Sequence, residues 1–326
     1  MTKKYSLYTD RSLINDKNHI EVLIPFFGDS DKNDKHPQYG RFKNLEKNGN
    51  NFLTLTENPE NSDYFVYPVK WQDNSTQFKN FLLEAKKYDK KTLVFFNDDS
   101  DCDMNLQEEN VVVFRTSFYK SRQKNNEIAL PGWSPDYGAF SLREKSEKPI
   151  VGFCGCANNN YFRFHSLKEI YESEKLISNF ILHDKFWAGW GYGSADSNDY
   201  SYANDARGNF RENMSNSDYI LCCRGAGNFS YRLYETLSAG RIPIIIDTDI
   251  VLPHEKLIPW KEISVFVDSS EIKNIDNIIL SDYNNMTQKQ FLTRQKDCRK
   301  VYEEYIRPSN FFMKYFQHTN KENNND

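Results

Sequence analysis

Short apolar runs alternate with stretches of helical periodicity along most of the chain, a rhythm that predicts α/β architecture. In the first half, His19–Pro25 and Asp63–Val69 read as strands, as do Thr92–Phe96 and Val111–Arg115. Between them, Ser75–Tyr88 places Phe78, Phe81, Leu82 and Ala85 on one face of a helix. The polar, Asn-rich segment Asp29–Gly49 reads as loop. A charged stretch closed by proline, Leu142–Pro149, breaks the pattern. The rhythm then resumes, with strands at Pro149–Cys154, Phe180–Trp187, Asp218–Cys222, Ile242–Asp247 and Ile263–Val267. Helices are expected at Phe162–Ser178, Phe210–Ser215 and Ser230–Ala239, and a long one over Met286–Tyr305 that stops before Pro308. This divides the chain into residues 1–145, residues 146–290, and a closing helix and frayed tail over 291–326 that can cross back to the first domain. Two such units predict two doubly wound sheets facing a cleft, with ligands beyond the carboxyl ends of the strands.

Composition narrows the function. A chain of 326 residues has room for two cores. Net charge is −4 with both signs scattered, so no basic block is available to neutralise a nucleic-acid backbone. No run approaches the roughly 20 apolar residues of a membrane span, and Met1–Asp10 lacks the apolar core of a secretory signal. The six cysteines show no paired zinc spacing and read as reduced structural thiols, which places the chain in the cytoplasm with peripheral membrane contact left open.

Candidate chemistry concentrates in Asn213–Trp260. There an apolar strand runs into the turn Arg224-Gly225-Ala226-Gly227-Asn228, where glycine permits positive φ and close approach of a ligand. Ser230 stands as N-cap of the next helix and Gly240 at its left-handed C-cap. A helix N-terminus after a strand is an anion seat. Arg224 and Arg232 add guanidinium forks suited to phosphate. Glu235, one turn beyond Arg232, either receives two ribose hydroxyls or pairs with Arg232. No GxxxxGK[ST] P-loop is present.

The run Ser217–Ile246, followed by Leu252-Pro253 and Ile258-Pro259-Trp260, resembles the exostosin glycosyltransferase domain. Weaker echoes fall in family order at Asn58–Val69, Ile128–Asp136, Ile150–Cys156 and Arg294–Tyr305. Cys223, Arg241 and His254 stand where the family has Pro, Cys and Phe. The resemblance implies a GT-B-like fold of two Rossmann-like domains, and inverting transfer of a sugar from a nucleoside-diphosphate sugar, UDP by family habit, to a glycan acceptor. It implies that Arg224, Arg232 and the Gly225–Gly227 amides hold the departing diphosphate, with Ser230 and Glu235 completing the donor site. Arginines then take the place of a divalent metal, and no cofactor is expected. Asp101-Cys102-Asp103 and Asp247-Thr248-Asp249 match a D-x-D pattern without a persuasive metal-binding context. The general base is expected from the first domain, as Asp98 or Asp99 after the strand Thr92–Phe96, with Asp136 as a second candidate. His165 and His183 read as structural. Trp190, in the aromatic cluster Trp187–Tyr200, either stacks on a sugar or packs a loop. Two other readings remain: a sugar-nucleotide-modifying enzyme, which predicts an absent GxGxxG, and a catalytically silent carbohydrate- or nucleotide-binding protein. Oligomeric state is not encoded in any of these features.

Overall fold

In the computed structural model, which describes residues 3–14, 18–29, 34, 36, 38–72, 75–106, 108–183 and 201–323, the apolar runs form two sheets. The first contains β1 (Tyr5–Tyr8), β2 (Leu53–Leu55), β3 (Tyr64–Val66), β4 (Lys91–Phe96), β5 (Val111–Arg115) and β6 (Glu127–Ala129), in the order β2-β1-β3-β4-β5-β6. The second contains β7 (Ile150–Cys156), β8 (Ile177–His183), β9 (Tyr219–Cys222), β10 (Ile242–Asp247) and β11 (Val265–Asp268), in the order β11-β10-β9-β7-β8. All these pairings are parallel. Helices α1 (Ile24–Phe27), α2 (Lys43–Asn48) and α3 (Thr76–Lys87) accompany the first sheet. Helices α4 (Tyr161–Glu172), α5 (Ser201–Ser215), α6 (Tyr231–Ala239), α7 (Trp260–Ile263) and α8 (Ile275–Asn284) accompany the second, and α9 (Gln288–Val301) and α10 (Pro308–Asn323) close the chain.

A parallel sheet must be covered on both faces, and the period-two alternation of the first sheet shows how this is met. Leu7, Val66, Leu93, Phe95 and Phe114 pack with Phe311, Phe312 and Phe316 of α10. The intervening Phe65, Val94, Val111 and Val113 pack against Phe78, Phe81, Leu82 and Ala85 of α3. The last helix of the chain thus completes the core of the first sheet, and Trp133 Nε1 donates to Ile306 O at 2.7 Å beside it. Two parallel, helix-covered sheets make this a GT-B-like α/β fold. Among the described residues no helix is long and apolar enough to cross a membrane.

Several elements differ from expectation for identifiable reasons. His19–Pro25 is not a strand: Glu21–Leu23 form a 3-10 turn leading into α1, with Pro25 in the first turn of that helix. A short apolar run buried on all sides looks the same in either conformation. Within the expected loop Asp29–Gly49, Lys43–Asn48 form α2. The helix expected over Met286–Tyr305 is α9, which starts with a capping box of Thr287 and Gln290 and runs on through a π turn to Ile306, but the tail beyond it is not frayed: Pro308 opens α10. Proline terminates one helix and suits the first position of the next. The short strands β1, β2 and β6 carry too little periodicity to announce themselves.

Candidate active site

In both sheets the chain steps to one side of its first strand and then returns to the other, leaving switch points between β1 and β3 and between β7 and β9. Carboxyl-end crevices at such points are where open parallel sheets bind ligands. At the second switch point stands a residue that the sequence reading overlooked. Arg163, in the first turn of α4, donates from Nη1 to Cys156 O at 3.0 Å and from Nη2 to Cys223 O at 3.2 Å and Arg224 O at 2.9 Å. Its guanidinium therefore bridges the ends of β7 and β9. Arg232, in the first turn of α6, donates from Nη2 to Cys154 O at 2.6 Å and lies 4.1 Å from the centroid of Phe153. Arg163 lies over the same ring at 5.7 Å. Burial, and then repulsion from Arg232, bring the Arg163 pKa down to about 10. Among the described residues neither guanidinium has an ion-pair partner, and the Nε of each is buried without a hydrogen-bond acceptor. Arg163 is buried and Arg232 partly so; two such neighbouring like charges without a counter-ion are costly, and an anion relieves both.

The turn from Arg224 to Ser230 is more specialised than its composition implies. Neither Gly225 nor Gly227 has positive φ. A Cβ at Gly225 would meet only Arg163 Nη2 at 3.6 Å and Asn159 Nδ2 at 3.8 Å, so this position opens toward the arginines. A Cβ at Gly227 would lie 2.7 Å from Asp99 O and 2.9 Å from Ser117 Oγ, both on the first domain. Gly227 is thus a close-approach residue between the domains. Asn228 reinforces the junction, its N–H donating to Ser117 Oγ at 2.8 Å and its amide to Phe118 O at 3.0 Å. Arg224 also crosses the junction: Nη1 donates to Tyr119 Oη at 2.8 Å, and Nη2 reaches Asp101 Oδ2 at 3.3 Å and Ala226 O at 2.9 Å. Ser230 occupies the N-cap position of α6, but its hydroxyl makes no capping bond. Gly240 adopts the left-handed C-cap conformation, with φ 68°. Glu235 is buried; it receives a 3.5 Å hydrogen bond from Tyr137 Oη and stands 4.0 Å from Arg207, and no ion pair joins it to Arg232.

Across the junction lies a cavity of about 290 Å³, lined by Asn97, Asp98, Asp99 and Thr116 of the first domain and by Phe229 and Tyr231 of the second. The two neighbouring aspartates differ. Asp98 pairs with Lys70 and accepts from Ser100 N, and these bonds hold its pKa below the usual carboxylate range. Partial burial, and then the charge of Asp98, raise that of Asp99. Behind them, Asn97 Nδ2 donates to Glu21, a carboxyl that burial pushes upward in pKa and whose Oε2 has no partner.

The other expected acids are engaged elsewhere. Asp136 is clamped by Arg299 and Arg307, which outweigh its burial and lower its pKa, so it is poorly suited as a base. Asp247 caps the turn at Asp249 and Ile250, and Asp249 accepts from Ser121. Asp101 meets Tyr119 and Arg224, while Asp103 lies 3.7 Å from Arg122. His183 Nε2 lies 3.7 Å from Cys154 Sγ, and His165 packs on Tyr161. Trp187, Trp190, Tyr192 and Tyr200 lie outside the described residues.

Arg163 was detectable in principle. Its setting repeats the strand, turn and helix start seen at Arg224–Arg232, here capped by Asn160, which accepts from Phe162 N. Asp101, Tyr119 and Glu21 carry no such signal, because their neighbours are distant in sequence.

Comparison with known proteins finds a likeness over most of the second sheet. Residues 165–281 match the exostosin GT47 domain. Over 72 residues the chain is 44% identical to a "probable glucuronosyltransferase" of Oryza sativa subsp. japonica and 42% identical to a "probable beta-1,4-xylosyltransferase" of Arabidopsis thaliana. Each match covers 22% of this chain and 17% of the relative's length. Among solved structures, a glycosyltransferase from Rickettsia africae ESF-5 aligns over 97% of this chain and 98% of its own, with 10% identity and a TM-score of 0.44. TarM aligns over 78% of this chain and 54% of its own, with 9% identity and a TM-score of 0.42. The fold assignment rests on the sheet topology. Residues 165–281, which include Arg224, Arg232 and Glu235, are therefore similar to the exostosin GT47 domain over about a third of the chain.

Proposed function

We propose that this protein is an inverting glycosyltransferase that moves a sugar from a nucleoside-diphosphate sugar to a hydroxyl of a glycan acceptor. The observation that carries the reading is the buried guanidinium of Arg163 beside the partly buried guanidinium of Arg232 at the β7/β9 switch point, neither with an ion-pair partner among the described residues. Negative charge grows on the diphosphate as it departs, and fixed cations in a dry site stabilise that charge without reorganising. Arg163, Arg232, Arg224 and the Gly225–Gly227 backbone form this half of the site, beside Ser230, and Glu235 holds the ribose. The names of the relatives favour a glucuronosyl or xylosyl group as the one transferred, and UDP is the nucleotide we propose. The diphosphate charge is met by arginines, so the reaction we propose needs no bound metal.

Residues 1–145 serve the acceptor, residues 146–290 the donor, and 291–326 return to the first domain. The cavity at the junction combines two aromatic rings with carboxylates and an amide, chemistry suited to a sugar ring. Asp99, raised in pKa and free of a salt bridge among the described residues, takes the acceptor proton. Asp98, held low by Lys70, steadies the loop. Four of the six cysteines are buried, and we read them as structural thiols of a cytoplasmic protein.

The test is incubation with a panel of UDP-sugars, following UDP release, for the wild-type protein and for Arg163→Met and Arg232→Met. Loss of about 10²-fold in turnover in each variant is expected. Wild-type turnover in both variants would remove the diphosphate assignment. UDP binding without release in the wild type would favour the silent-binder reading.

A further inference from the structure

Arg224 is the donor-site arginine whose fork already meets an anion. Its Nη1 donates to Tyr119 Oη at 2.8 Å and reaches Asn228 Oδ1 at 3.4 Å. Its Nη2 donates to Ala226 O at 2.9 Å and reaches Asp101 Oδ2 at 3.3 Å. Tyr119 Oη in turn donates to the same Asp101 oxygen at 2.7 Å. Hydrogen bonding to Tyr119, with a further contribution from Arg224, keeps the Asp101 carboxyl ionised below its ordinary pKa. Only Nε of Arg224 is left buried without a partner. The guanidinium thus meets an anion, and the anion belongs to the other domain.

We propose that Asp101 is an internal stand-in for phosphate, and that a nucleoside diphosphate must displace it from Arg224 to bind fully. This rests on the donor-site reading given above. The chemistry favours exchange. The Arg224–Asp101 contact is long for a charge-assisted bond, and Asp101 is 36% exposed, so the pair is weakly held. A diphosphate brings more charge and more acceptor oxygens to the same fork. The surrounding junction stays in place meanwhile, because it does not depend on Asp101. Lys120 N donates to Asp249 O at 2.9 Å, Asn228 N to Ser117 Oγ at 2.8 Å, and Lys120 pairs with Glu255 at 2.8 Å. Arg115, bonded to Glu127 at 2.9 Å, also fixes Ser117 O and Cys102 O from behind. Donor binding therefore releases the Asp101 side chain from Arg224, while the rest of the Asp98–Asp103 loop stays held by Lys70 and Arg115 and the domains remain joined.

Calorimetric titration of the full chain with UDP and, separately, with uridine tests this. Asp101→Asn keeps shape and hydrogen bonding but removes the competing charge. It should tighten UDP binding by about three- to fivefold, the worth of a half-exposed ion pair, and leave uridine binding unchanged. Asp101→Ser should act in the same direction and serves if the first variant misfolds. Equal UDP affinity in wild type and variants overturns the exchange and leaves the donor site standing. Weaker UDP binding in the variants overturns it too, since Asp101 would then orient Arg224. Tightening for uridine as well as UDP assigns the effect to the fold and overturns the exchange. Failure of UDP to bind any of these proteins overturns the donor site and the exchange with it.

Discussion

Gly225 and Gly227 lie in one turn and separate its two tasks, so alanine at each should fail differently. At Gly227 a Cβ would stand 2.7 Å from Asp99 O, 2.9 Å from Asp99 Cα and 2.9 Å from Ser117 Oγ. Two of these are backbone atoms, so no rotamer change relieves them. Relaxing the carbon contact to van der Waals distance moves the two loops apart by roughly 0.5–1 Å. Overpacking of this kind costs about 1–3 kcal/mol. Stiffening the unfolded chain returns about 0.4–1 kcal/mol, since Gly227 does not need positive φ. The net loss of about 1–2 kcal/mol lowers Tm by roughly 2–6 °C. The same displacement separates Asp99 from Tyr231 across the junction cavity, and a shift of that size costs on the order of 10- to 100-fold in turnover. UDP affinity should hold, because the arginine pair is untouched. At Gly225 the nearest atoms to a new Cβ are 3.6 and 3.8 Å away, so alanine fits without loss of Tm. Its methyl stands beside Arg163 and should weaken UDP binding. Thermal melting, UDP titration and UDP release on both variants read all three quantities. Gly227→Ala with wild-type melting and turnover, or Gly225→Ala with unchanged UDP affinity and a lowered Tm, would refute this division of labour.

Two further outcomes follow from the titrating groups. Asp99→Asn should lower turnover by about 10²-fold or more and flatten the acid limb of the rate profile. Asp98→Asn should keep that limb and cost far less, and the reverse order would reassign the base. His254, partly buried against Phe311 of α10, has its pKa pushed down to about 4, chiefly by desolvation. The unfolded chain takes up a proton below about pH 6.5 and the folded chain does not until about pH 4. Stability is therefore unaffected by this group at neutral pH and falls as pH drops through that window. His254→Phe should reduce the fall in Tm between pH 7 and pH 4.5, and an identical slope in wild type and variant would remove the assignment.

The strand, turn and helix from Tyr219 to Asp247 follow from the sequence alone. Periodicity, the glycine turn and the C-cap at Gly240 are local signals, complete within a few residues of each other. The alternation of α3 and β4, and the family likeness around Arg224–Glu235, are legible for the same reason. The sequence placed Ser230 at a helix start but could not show that its hydroxyl makes no capping bond. It placed Asp98 and Asp99 in one turn with no means of ranking them, because Lys70, which holds one of them low, comes from another strand end. Arg163 looks like any helical arginine until β7 and β9 bring Cys156 and Cys223 to its fork. The engagement of Arg224 by Asp101 was likewise beyond reach, since the two are 123 residues apart and belong to different sheets. Local conformation depends on neighbours along the chain. The charge state of a carboxylate and the freedom of a guanidinium depend on neighbours in space, and only the packed fold supplies those.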